Sequence, residues 1–304
     1  MYSTKILKDS IGPAGVRLTT WELCYPRFVH AELMTHRVFS RNSASSRAIP
    51  VKSMLERIEN NPALPVFWGK NQKGMQASEE LTGDALVNAQ KIWDRLRRNA
   101  CAGVRELQHP DIDLHKQIAN RALEPWMFIT VIVSSTSFTN WFRLRHHKDA
   151  QPEIRWIAED MLPKYMASTP EVLKEGEWHL PMLEDREQLI EEGFSLEDLK
   201  AISAGRIARV SYLTHDGVRD PKKDIELGLR LATQNPPHMS PLEHVAQAMT
   251  KDAWNKHVSD ALMKAQRAGL PFNPMMLGNF TAWFQYRKEF QNEHGFDFDL
   301  KELG

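Results

Sequence analysis

The chain has 304 residues with 39 Lys+Arg against 39 Asp+Glu, so no global field draws it to a nucleic-acid backbone or an acidic membrane, and any anion site must be local. Apolar residues make up 42%, close to ordinary globular usage, which excludes disordered and collagen-like classes. Two cysteines, Cys24 and Cys101, are too few for a disulfide framework; the start of the chain lacks a signal-peptide core and no apolar run approaches bilayer length, so a cytoplasmic, reducing setting is the expectation.

Residues 16–25 mix β-branched and aromatic side chains with polar ones and stop at Pro26, the pattern of a strand. In 27–37 the apolar Phe28, Val29, Leu33 and Met34 recur at helical spacing. Residues 40–47 (SRNSASSR) are small, polar and without periodicity, which predicts a loop. Helical patterns follow at 51–60, 79–107 and 113–129. Residues 151–167 predict a helix with Pro152 in its first turn and a kink or end at Pro163. Ser195 with Glu197 and Asp198 opens another helix toward Val210, and one near Asp224 stops at Asn235-Pro236-Pro237. A single catalytic domain over 1–304 is expected, with insertions at 60–110, 168–200 and 251–277 and a loose tail at 292–304.

No P-loop, no glycine-rich dinucleotide fingerprint, no paired C-x-x-C and no H-E-x-x-H occurs. His238, Glu243 and His244 could meet a metal, a minor alternative to no metal at all. The informative stretch is 35–47 (THRVFSRNSASSR), with three arginines, one histidine, one asparagine, four serines and no carboxylate. Forked guanidinium groups and short hydroxyl bonds suit phosphate; a solvated basic loop is the competing reading from charge alone.

The spacing of His36, Arg37, Ser40, Asn42, Ser45 and Arg47, H-R-x-x-S-x-N-x-x-S-x-R, closely resembles the signature of the flavin-dependent thymidylate synthases, except that Thr35 stands where the signature begins with Arg. A second block is similar to the same family: Asn140 to Arg145 (NWFRLR) followed by Ala150-Gln151-Pro152-Glu153-Ile154, with Arg121 and Pro125 upstream. A third comprises Ala208-Arg209-Val210-Ser211 and the HMSPLEH run from His238 to His244. These elements normally precede the signature in the family, whereas here they follow it, so the chain resembles a circularly permuted relative, with residues 280–287 as the strand leaving the HMSPLEH turn.

The resemblance implies an α+β fold of the thymidylate synthase-complementing type, with a mixed or antiparallel sheet and long helices. It implies methylation of dUMP to dTMP with methylenetetrahydrofolate as carbon donor, FAD as redox carrier and NADPH as reductant, in a homotetramer with sites between subunits. By motif position, Ser45, Arg47 and Arg121 fall to the nucleotide, and His36, Arg37, Asn140, Ser211, His238 and Ser240 to FAD. Arg145 matches the arginine beside the pyrimidine, where a cation favours loss of the N3 proton and strengthens C5 as nucleophile, and is the catalytic candidate. Such chemistry needs no thiol, and Cys24 in an apolar strand reads as packing.

Three departures touch recognition: Thr35 at a cofactor position, and Glu32 and Ser43 at substrate positions. Arg287 is a candidate to replace the cation absent at Thr35. A carboxylate near the base could accept from an exocyclic amine, so dCMP as substrate, or hydroxymethylation, are alternatives. An inactive nucleotide-binding homologue and an enzyme acting on intact nucleic acid are the competing classes.

Overall fold

The computed structural model describes residues 1–212, 219–267, 269, 271–290 and 293, without the side chains of 211, 212 and 275. The chain opens with two antiparallel strands, β1 (Ser3–Ile11) and β2 (Arg17–Pro26), whose register shifts between Ile6 and Lys8. A 3₁₀ turn at Arg27–Val29 leads through α1 (His30–Met34) to β3 (Ser40–Ser43). Then come α2 (Val51–Asn60), α3 (Gly83–Leu107), α4 (Lys116–Ala119), a 3₁₀ turn at Asn120–Trp126, and β4 (Phe128–Ser135). Helices α5 (Thr139–Arg145) and α6 (Pro152–Ala167) precede the short β5 (Glu171–Val172) and β6 (Trp178–His179). The remainder holds α7 (Arg186–Glu191), α8 (Leu196–Tyr212), α9 (Pro221–Thr233), a 3₁₀ turn at Ser240–His244, β7 (Ala246–Ala248), α10 (Lys251–Arg267) and β8 (Trp283–Gln285).

The fold is α+β. A five-stranded sheet runs β3-β4-β2-β1-β5, antiparallel except for the parallel β1/β5 pair, and a three-stranded antiparallel sheet runs β6-β7-β8. β4 is buried on both faces. Its Ile129, Val131 and Val133 join Trp21, Leu23 and Tyr25 against Ile154, Ile157 and Met161 of α6, while Ile132 joins Ile202, Ile207 and Val210 of α8. Burying each such side chain stabilises the fold by roughly 1.5–3 kcal/mol. The helix expected over 113–129 is shorter and tighter than expected: Lys116–Ala119 is α-helical, Asn120–Trp126 is a 3₁₀ turn with Pro125 inside it, and positions 128 and 129 belong to β4, whose burial on both faces gives a continuous apolar run without alternation.

The expected loop at 40–47 is corrected over its first half, 40–43, and found over 44–47. Ser40 and Asn42 are buried and Arg41 and Ser43 half-buried, so the segment has a strand's two-residue alternation in polar side chains, and β3 pairs with β4 from Ser40 opposite Ser134 to Ser43 opposite Val131. Nor does Pro163 end α6, which continues to Ala167. The last turn is held by Tyr165, packed on Phe138 and Phe142 and covered by the Arg17 guanidinium at 3.8 Å.

Helix α8 starts as its sequence requires: Ser195 Oγ accepts from Asp198 N at 3.2 Å and Asp198 Oδ2 accepts from Ser195 N at 2.9 Å, a reciprocal cap. It packs backbone to backbone on α9, because a Cβ on Gly205 would lie 2.1 Å from the Asp224 carbonyl oxygen and one on Gly228 2.6 Å from that of Ala201. Asp224, fully buried, bonds Arg206 Nε at 3.2 Å and Arg209 Nε at 2.5 Å across this seam.

A file of buried polar side chains crosses the two sheets. Ser10 Oγ meets His179 Nδ1 at 2.9 Å, His179 Nε2 meets Thr20 Oγ1 at 2.8 Å, Thr20 Oγ1 meets Ser134 Oγ at 2.6 Å, and Ser134 Oγ meets His244 Nδ1 at 2.8 Å. Among the described residues His244 Nε2 has no partner. Both rings are fully buried, and burial holds His244 down to about 3 and His179 well below its usual value. Among the described residues no helix is long and apolar enough to cross a membrane.

Candidate active site

β3 lies at the edge of the larger sheet, and the segments that close over it come from the far end of the chain. Asn42 Nδ2 donates to the Ile207 carbonyl of α8 at 2.7 Å, and Ser240 Oγ donates to Asn42 Oδ1 at 3.3 Å. Gln285 Nε2 donates to Ser40 Oγ at 3.2 Å and to the Glu243 carbonyl at 2.7 Å. The signature block and the third block therefore share one floor.

Two clefts open on this floor. The larger, about 670 Å³, is lined by Ser45, Arg47, His238 and Ser240, together with Lys116 and Gln117 of α4. The smaller, about 310 Å³, holds His30, Arg37, Phe39 and Glu243. Arg41 and Ser43 line both. Among the described residues Arg37, Arg41, Arg47 and Lys116 form no ion pair; Lys116 Nζ donates only to the Ala48 carbonyl at 3.3 Å. Glu243 is the carboxylate of this region, and it is taken up by Arg287; burial nonetheless pushes its carboxyl above the usual range, against the pull of that guanidinium. A chain of zero net charge thus concentrates unpaired cations in one place.

Arg145 occupies a separate cluster. Its Nη1 donates to Glu32 Oε2 at 2.5 Å, Nη2 to the Glu32 carbonyl at 3.1 Å and to Thr35 Oγ1 at 3.0 Å, and Nε to His36 Nε2 at 3.1 Å. Every edge of the guanidinium is occupied, and Arg145 lines neither cleft. Burial, then the charges of Arg145 and Arg41, lowers His36 to about 4, which agrees with a neutral ring accepting at Nε2.

Of the residues singled out in the sequence, the larger cleft brings together Ser43, Ser45, Arg47, His238 and Ser240, and the smaller adds Arg37. Glu32, Thr35, His36 and Arg145 gather behind α1. Arg121 pairs with Glu124 at 2.8 Å, outside both clefts, and Glu124 also accepts from Ser46 Oγ at 2.8 Å. Asn140 is exposed on α5 and lines neither cleft; the side chain of Ser211 lies outside the described residues, as does the tail at 292–304 apart from Glu293. The cation at Thr35 is Arg145, not Arg287, whose partners are Glu243 and Glu293. His238, Glu243 and His244 do not converge as ligands, since His244 is buried on Ser134; among the described residues no His/Cys/Asp/Glu group could hold a metal. Lys116, Gln117 and His30 were not legible as site residues because they lie in no shared motif. Arg41 stood within the donor-rich stretch, but its place between two clefts depends on β3.

The sequence profile of the thymidylate synthase complementing protein family matches residues 17–171, just over half of the chain, and the chain belongs to that family. Among solved structures, the UMP/dUMP methylase PolB from Streptomyces cacaoi bound with 5-Br UMP is 16% identical, with 54% of this chain and 88% of that chain covered and a TM-score of 0.46. The same methylase bound with 5-Br dUMP is 15% identical, with 54% and 90% covered and a TM-score of 0.41. No curated protein sequence matches the chain.

Proposed function

We propose that the chain methylates dUMP at C5, with methylenetetrahydrofolate as carbon donor, NADPH as reductant and FAD as redox carrier. One observation carries this reading: Ser45 and Arg47 share a cleft with His238 and Ser240, and among the described residues Arg47 and Lys116, which line it, form no ion pair. A donor set of unpaired guanidinium groups, hydroxyls and an imidazole suits phosphoryl oxygens, so the residues present fit both a nucleotide and FAD.

Ser45, Arg47 and Lys116 would hold the nucleotide phosphate and Arg37, His238 and Ser240 the cofactor, while Thr35, His36 and Asn140, which line neither cleft, would reach it only from a second copy. Arg121 acts on this loop through Glu124 and Ser46. FAD, when bound, supplies the reducing equivalents that turn the transferred carbon into a methyl group. No thiol is called for, and burial raises the Cys24 thiol away from its reactive form. Since Arg145 lines neither cleft, its place beside the pyrimidine calls for a site completed by a second copy, in keeping with a homotetramer whose sites lie between subunits. There a fixed guanidinium favours the N3 anion and strengthens C5.

The ion pair with Arg145 takes up one carboxylate oxygen of Glu32, and dUMP is the substrate proposed, with dCMP as the alternative the test separates. The test incubates the protein with FAD, NADPH and methylenetetrahydrofolate and, in separate tubes, dUMP or dCMP, and weighs the products. A dUMP product heavier by one CH₂ is expected. A modified dCMP, a hydroxymethyl product, or no product with FAD bound would overturn the reading in favour of those alternatives.

A further inference from the structure

Arg41 has no role in the reading above. It stands on β3, half-buried, and its Nη1 donates to the Met34 carbonyl at 2.9 Å. Glu243, the carboxylate that faces it, is bonded to Arg287. Burial lowers the Arg41 guanidinium from its usual value, and the Glu243 and Tyr25 charges oppose this only in part. The cation is thus partly desolvated and under-compensated at the junction of the two clefts.

Beyond the shared Arg41 and Ser43 the linings differ: the smaller cleft has the rings of Phe39 and His30, and the larger has the apolar Leu231, Ala208 and Pro241. A monophosphate has its own partners in Ser45, Arg47 and Lys116. A ligand that reaches from one cleft into the other must pass Arg41 and Ser43, and an anionic linker satisfies what stands there.

We infer that the two clefts form one tract and that Arg41 anchors the diphosphate of a dinucleotide lying across them, one ring system in each cleft. The inference rests on the flavin and nucleotide reading and adds to it the class of ligand that Arg41 selects.

Flavin fluorescence and calorimetric titration of the full chain with FAD, FMN, NADP⁺ and dUMP would test it, using wild type, Arg41→Gln and Arg41→Lys. Arg41→Gln should weaken FAD or NADP⁺ by about tenfold or more, and FMN, which carries only one of the two phosphates, by less, while leaving dUMP affinity and the melting temperature unchanged. Arg41→Lys keeps the charge without the planar fork and should recover part of the loss; it also carries the comparison if the Gln variant does not fold. Loss for one dinucleotide alone supports the inference and identifies the occupant. Unchanged dinucleotide affinity, or an equal loss for dUMP, overturns the inference and leaves the proposed function standing. A wild-type protein that binds neither FAD nor dUMP overturns the proposed function itself.

Discussion

Asn42 and Ser240, 198 positions apart in the chain, meet at 3.3 Å, and the same amide donates to the Ile207 carbonyl at 2.7 Å. One buried side chain thus ties the signature strand to both segments of the third block. Asn42→Ala removes two side-chain hydrogen bonds, to the Ile207 carbonyl and from Ser240, and should cost about 1–3 kcal/mol. It should also weaken nucleotide binding, because His238 and Ser240 would no longer be held across from Ser45. Paired melting curves and dUMP titrations check this; a variant with lowered stability but wild-type affinity would uncouple the strand from the cleft.

Arg47→Ala should weaken dUMP about tenfold, the equivalent of about 1.4 kcal/mol, since Arg47 is exposed and its phosphate pair is only partly desolvated. The loss should shrink as salt rises, as screening requires. An affinity that ignores both the substitution and salt places the phosphate elsewhere.

Arg145→Lys should lower turnover strongly, because no ammonium can reproduce contacts to Glu32, Thr35 and His36 together. If sites form between copies, mixing Arg145→Lys with Arg47→Ala should give more activity, at a dUMP level that leaves Arg47→Ala unsaturated, than the two variants give separately, each copy supplying what the other lacks. Failure of the mixture to exceed them, with mixed oligomers present, argues for a site within one chain.

Stability should fall on mild acidification. His30 and His36 are held down to about 4 and His244 to about 3, and His179 is also lowered, in each case chiefly by burial. In the unfolded chain these rings take up protons near 6.5, so below that pH the unfolded state binds more protons. The stabilisation is complete above about 6.5 and is lost as pH falls toward the folded values. Melting temperatures between about pH 7.5 and 4.5 should decline; a flat profile would contradict neutral buried imidazoles.

Asp224→Ala should cost about 1–3 kcal/mol, because Arg206 Nε and Arg209 Nε lose their acceptor in the α8–α9 seam while Asp185 keeps the Nη groups of Arg206 paired. Asp224→Asn keeps the shape and one acceptor and should cost less. Denaturant melts rank the two, and equal losses would show that packing, not charge, dominates there.

The helix starts were legible because capping is local: Pro152 and the Ser195–Asp198 pair announce α6 and α8 within four residues. β4 was not, since burial on both faces erases alternation, and β3 was not, since its alternation is written in serine, asparagine and arginine. The signature residues could be recognised, and the cleft collects Ser45, Arg47, His238 and Ser240. That Arg145 sits apart, bonded to Glu32, could not be read, because the pairing depends on how α5 meets α1 in space.

The file from Ser10 to His244 has only two self-consistent proton arrangements. If His244 carries its proton on Nδ1, Ser134 accepts from it and donates to Thr20, Thr20 donates to His179 Nε2, and His179 donates to Ser10. The reverse polarity leaves a buried N–H at His244 Nε2 without an acceptor, the costlier orphan. The two imidazoles therefore cannot choose tautomers independently, and one nitrogen resonance from either ring reports the hydroxyl orientation of the entire file.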